Sequence, residues 1–91
     1  MLTIRAEPAG DGWVCSVNVH DRGQETEHEV RVHAQDLERW GSGTEREDVE
    51  DLVLRSFAFL LERETPASIL RQFDLATIRR YFPEYDDEFR R

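Results

Sequence analysis

Ninety-one residues suffice for one domain, because a chain of this size buries only about 60–65% of its unfolded surface and has no apolar material left for a second core. Twelve basic residues, all of them Arg, stand against twenty acidic ones for a net charge of −8. That excludes lysine Schiff-base chemistry and phosphate-loop lysines, and it opposes long-range attraction to nucleic acid.

Residues 2–33 alternate apolar and polar with a period of two, the signature of strands with one buried face. Leu2, Ile4 and Ala6 share a face, as do Trp13, Cys15, Val17 and Val19, and then Val30 and Val32. Glu7 to Gly12 and Asp21 to Gln24 supply the turns. Pairing Trp13 with Val32, Cys15 with Val30 and Val17 with His28 aligns the second and third strands. Pairing Ile4 with Cys15 and Leu2 with Val17 aligns the first two. Thr3, Arg5, Ser16, Asn18, Glu27, Glu29, Arg31 and His33 then form a solvated outer face. Ala34 to Trp40 reads as a short helix ended by Gly41, a left-handed terminator by type.

Thr44 and Glu47 fit a capping box that opens a long helix running to about Glu64. Its apolar residues, from Val49 through Leu61, cover roughly 220° of the circumference, more than one sheet face requires. A second layer on its far side is therefore expected. Pro66 disfavours a helical Thr65 and opens a new turn through Leu70. Asp74 is placed to cap a last helical piece, Leu75 to Phe82, stopped by Pro83, and the acidic tail 84–91 is expected to fray. The fold class is α+β: a three-stranded antiparallel meander (about 2–33) on one long helix, with short C-terminal helices closing the far side. The helical part spans about 35–82, and the whole of 1–91 is a single domain.

No catalytic, cofactor-binding or metal-ligating set emerges. His28 and His33 are five apart on one strand and point to opposite faces, and Cys15 with His28 gives two inward ligands where zinc requires three or four. Glu27 and Glu29 lie on a wet face, without the burial that separates the pKa values of a catalytic pair. Arg79 and Arg80 sit beside Glu84, Asp86, Asp87 and Glu88, so no basic nucleic-acid surface forms. One cysteine excludes an internal disulfide and fits a reducing, cytoplasmic setting. The longest apolar run, 57–61, is far short of the ~20 residues that span a membrane.

Nine large apolar residues between Ile69 and Phe89 exceed what one helix flank requires, and a contiguous exposed remainder would be an interface. Tyr81, Phe82 and Tyr85 are the expected edge of that interface. Phe82 is the most buried of the three, and the two tyrosines form a wet rim. The partner is a protein, either another chain or a second copy, and no cofactor, nucleic acid or membrane is expected.

The run Ser56-Phe57-Ala58-Phe59-Leu60-Leu61-Glu62-Arg63-Glu64, with Ser68-Ile69-Leu70, Phe73-Asp74-Leu75 and Tyr81-Phe82-Pro83-Glu84-Tyr85, resembles a family of short uncharacterised bacterial proteins over residues 44–85. The resemblance implies a cohesive C-terminal half and no chemistry. In topology, three strands followed by a long helix is similar to HicB-like antitoxin domains, which neutralise a small basic toxin. The Gly-Tyr and Pro-Gly-Cys elements of those domains have no counterpart in the second strand here. The likeness is one of topology, and topology does not carry function. An antitoxin-like or regulatory module that binds a basic protein through its acidic surface is the second functional expectation, and an enzyme of unknown type the third.

Overall fold

The computed structural model describes residues 1–90. Its elements are β1 (Leu2–Ala9), β2 (Gly12–Asp21), β3 (Gln24–Val32), α1 (Ala34–Trp40), α2 (Arg46–Leu61), a 3-10 turn (Pro66–Ser68), β4 (Gln72–Asp74), α3 (Thr77–Tyr81) and α4 (Glu84–Phe89). The class is α+β. The sheet has four strands where the sequence suggested three, in the order β1-β2-β3-β4, and β4 runs parallel to β3. Three residues are too short to display a strand period. The apolar residues around them, Ile69, Leu70 and Leu75, read equally well as helix.

β2 and β3 pair as the alternation dictates, Trp13 with Val32, Cys15 with Val30 and Val17 with His28. The β1–β2 register is displaced by two residues from expectation: Ala6 faces Cys15, Ile4 faces Val17 and Leu2 faces Val19. The shift keeps every side chain on its face, so the hydrophobic pattern could not detect it. Its cause is a tighter turn. Gly10 has φ +61° and closes a two-residue loop between Ala9 and Gly12, so β1 extends through Pro8. The second hairpin also uses a two-residue loop, with Arg22 at φ 53° and Gly23 at φ 77°. Positive φ at both positions matches the strand twist of a type I′ turn. Arg22 reaches from this turn to the Leu61 carbonyl at the end of α2, 3.3 Å away.

The inner face of the sheet carries Ala6, Cys15, Val17, Val19, Val30 and Val32, all buried. Trp13, expected deep in the core, is only half-buried at the sheet end, with Arg46 5.9 Å from its ring. Trp40 is the enclosed tryptophan. On α2 the buried residues are Val49, Leu52, Val53, Ser56, Phe57, Phe59 and Leu60. At 100° per residue they span roughly 160°, narrower than the sequence suggested, because Leu54 and Ala58 face solvent. Two neighbours meet this arc. Phe57 lies 5.4 Å from the ring of His28 on β3, while Phe59 meets Tyr85 of α4 at 5.3 Å. The helix begins one residue later than the Thr44 box implied. Asp48 accepts from the Glu45 N–H, and Asp36 does the same for His33 at the start of α1. Gly41 ends α1 in an extended conformation, with φ −88° rather than left-handed.

Residues 84–90, expected to fray, form α4 and its cap; Arg91, the end of that expected tail, lies outside the described residues. α4 is bound on two sides. Trp40 Nε1 donates to Asp86 (3.0 Å), and Arg63 ion-pairs with Glu84 and Glu88 while stacking 3.6 Å from the Phe59 ring centroid.

Candidate interaction cleft

The chain after α2 builds a cleft from local rules. Pro66 fixes the first position of the 3-10 turn, leaving Thr65 extended, and the Thr65 and Ser68 hydroxyls bond at 3.0 Å. The turn sends Ile69 inward, 4% exposed, and leaves Leu70 49% exposed. His28 fixes the Leu70 backbone. Its Nδ1–H donates to the Leu70 carbonyl at 2.8 Å, so Nε2 accepts from the Thr26 hydroxyl, also at 2.8 Å. Burial, with Arg71 adding to it, holds His28 below the ordinary histidine pKa and so favours the neutral ring, while the Leu70 bond opposes the shift. β4 turns Phe73 toward Phe57 (6.1 Å), and α3 buries Ile78 while presenting Tyr81 outward.

Leu60, Ile69, Ile78 and Phe73 line the floor of the resulting cleft, and Leu70, Tyr81 and Phe82 line its rim; Ser68, Thr77 and Glu64 complete it. Its volume is about 180 Å³. Small-molecule and cofactor sites run from about 300 to 1,000 Å³, so this cleft suits a single anchoring side chain better than a cofactor. Glu64 is the one acidic group in the lining. Partial burial pushes its pKa up, and its side chain has no ion-pair or hydrogen-bond partner among the described residues.

The three residues expected at the interface edge separate here. Tyr81 is 68% exposed and Phe82 is half-buried, edge-on to Phe59 at 6.0 Å. Tyr85, expected at a wet rim, is instead fully enclosed. Its ring stacks on Phe89 at 4.2 Å and meets Trp40 edge-on at 5.1 Å. Its hydroxyl lies 2.7 Å from Ser56 Oγ, which itself lies 2.7 Å from the Leu52 carbonyl. Proton counting fixes the direction: Ser56 donates to the carbonyl, so Tyr85 donates to Ser56. Burial raises the Tyr85 pKa, with the Ser56 bond opposing. Helical position within α4, one turn before Phe89 and facing α1, decides its burial, which the frayed tail expected from sequence would not provide.

The remaining reactive groups sit elsewhere. Cys15 is sealed in the core, where burial, with Glu50 adding to it, pushes its thiol up to about 12. His33 lies 3.6 Å from Asp74 at the surface. Among the described residues no cluster of three or more His, Cys, Asp and Glu could hold a metal ion, and no helix is long and apolar enough to cross a membrane. A broader groove of about 530 Å³ runs over the outer sheet face, between Thr3, Arg5, Asn18, Glu27, Glu29 and Arg71. Its charges alternate in sign and it has no exposed apolar anchor.

No protein-family model, curated protein or solved structure matches the chain. Glu64 and the exposure of Leu70 were the parts of the cleft missed in the sequence. The Thr65-Pro66 break is the signal that could have located them, since it ends the helix and reverses the chain at that point.

Proposed function

We propose that this chain is a small, acidic, non-enzymatic protein-interaction domain of the cytoplasm. In this reading α2 lies between the inner sheet face and the C-terminal helices, and the cleft on its last turn receives an apolar side chain of a partner. One observation carries the proposal. Two large apolar side chains, Leu70 and Tyr81, stand 49% and 68% exposed on the rim of the same concave apolar site. Scattered exposed hydrophobics are ordinary, but a pair flanking a cleft is the arrangement of an interface anchor point. The non-enzymatic reading is supported by the lining of the cleft: Glu64 is its one acidic group, with no histidine, cysteine or second carboxylate beside it, and Cys15 and Tyr85 are locked in the core.

The test is photo-crosslinking from position 81, with position 31 on the outer sheet face as control, in the native host. Crosslinks to a defined protein from 81, absent from 31 and lost on Leu70→Ser, are expected. Equal crosslinking from both positions, or none from 81, would exclude the cleft as an interface.

A further inference from the structure

The chemistry of the cleft narrows its occupant, given the reading above. Five acidic side chains on or beside α2 and α4 have cationic partners. Asp51 pairs with Arg55 (2.9 Å), Asp86 with Arg90 (2.9 Å), and Glu62, Glu84 and Glu88 with Arg63. Glu64 does not. It is half-buried on a wall that is otherwise apolar or hydroxylic, where water solvates a carboxylate poorly and no arginine compensates it. Arg71 and Arg80 flank the cleft in sequence, but neither lines it. The site therefore offers an apolar pocket with one uncompensated negative charge at its edge.

We propose that the cleft binds an apolar side chain carried next to a cation, as in a basic amphipathic segment of another protein. Charge complementarity selects this occupant over the alternatives. An anionic segment would place its charge beside Glu64, with no lining arginine to receive it. A second copy would bring another net −8 against this one. The apolar body of the occupant supplies burial against Ile69, Ile78 and Phe73, and the cation supplies the partner that Glu64 lacks.

The test uses three small probes with the same phenylpropyl body: phenylpropylamine, phenylpropanol and phenylpropanoate. Each is titrated into isotopically labelled protein while the amide resonances of Leu70, Phe73 and Tyr81 are followed. All three should shift these resonances, with the amine tighter than the alcohol and the alcohol tighter than the acid. A partly exposed ion pair should give roughly a threefold step in affinity between amine and alcohol. Glu64→Gln should erase that step while the alcohol still binds. In the parent protein, raised salt should shrink it as well, a readout that does not depend on any variant folding. Equal binding of amine and alcohol, or tightest binding of the acid, would overturn the cationic occupant and leave the cleft reading intact. A dimer in sedimentation that Tyr81→Ser abolishes would assign the face to a second copy and overturn it too. No shift at these amides with any probe would overturn the cleft reading itself.

Discussion

Tyr85 shows how one residue can tie separate segments together. Its ring contacts Trp40, Phe59 and Phe89, and its hydroxyl reaches α2 through Ser56. Tyr85→Phe should cost about 1 kcal/mol, the net worth of one buried hydrogen bond, whereas Tyr85→Ala should cost about 3–5 kcal/mol. Urea unfolding distinguishes the two, and a neutral Tyr85→Ala change would contradict the enclosed position. Trp40→Ala should likewise cost about 3–5 kcal/mol, and the half-buried Trp13→Ala clearly less. His28 makes a pH prediction with a definite sign. Its folded pKa lies below the unfolded 6.5, so between those values the unfolded chain binds more protons. Its contribution is full above about 6.5 and is lost as pH falls toward the folded value. Asp36 acts in the opposite sense from 3.8 upward, since burial raises its pKa. Urea midpoints measured from pH 7.5 down to 5.5 should therefore fall, and less steeply in His28→Asn. An identical slope in the variant would remove His28 as the cause.

At the scale of elements, the free edge of β1 is managed by two devices. Ala6 N–H points off the sheet and donates to Glu50 of α2 (3.0 Å), and by parity Leu2, Ile4 and Pro8 face the same way. Pro8 has no N–H to offer, so only Leu2 and Ile4 keep a free N–H for another strand. Combining Glu50→Ala with Pro8→Thr should lengthen that open edge and promote association, readable by light scattering against concentration. An unchanged monomer would show that the short strand protects itself. At the other end of α2, Arg63 covers Phe59, bonds its carbonyl at 2.9 Å and pairs with α4. Lys cannot reproduce a stacked guanidinium, so Arg63→Lys should lower the melting temperature nearly as far as Arg63→Ala. The period-2 residues of β1 to β3 made the face of every strand legible in the sequence, and Thr65-Pro66 made the turn legible. The β1–β2 register was not, because a two-residue shift leaves the pattern unchanged. Nor was β4, whose pairing is made by backbone groups of β3 and residues 71–75 that meet only in the folded chain. In the cleft, Tyr81 and Phe82 were legible as aromatics of the right tract. Tyr85 was misplaced because burial in α4 depends on partners contributed by α1 and α2.

For the whole molecule, the C-terminal third supplies core and sheet together. Ile69, Leu75, Ile78 and Tyr85 are all buried, and the β3 edge is occupied by residues 71–75, with Glu29 N–H on the Arg71 carbonyl (2.7 Å) and Leu75 N–H on Arg31 (2.9 Å). Truncation after Glu64 should therefore abolish cooperative melting and leave an aggregating species, because it uncovers Phe57 and Phe59 and frees a strand edge. A soluble monomeric fragment with an unchanged melting temperature would contradict this. Leu54 would not be the cause, since it is already 41% exposed in the intact chain.

The parallel pairing of β4 with β3 has a consequence for how the protein is made. β1, β2 and β3 are translated first and can zip locally through their two-residue turns, on the microsecond scale of hairpins. Their last edge stays open until α1, α2 and the proline turn have been synthesised, which at about 5–20 residues per second leaves it uncovered for seconds. During that interval the acidic and basic side chains of β3, Glu25, Glu27, Glu29 and Arg31, are what keep the nascent meander from pairing with a neighbour's. The charges on that strand then act as gatekeepers during synthesis, before they become part of a finished outer face.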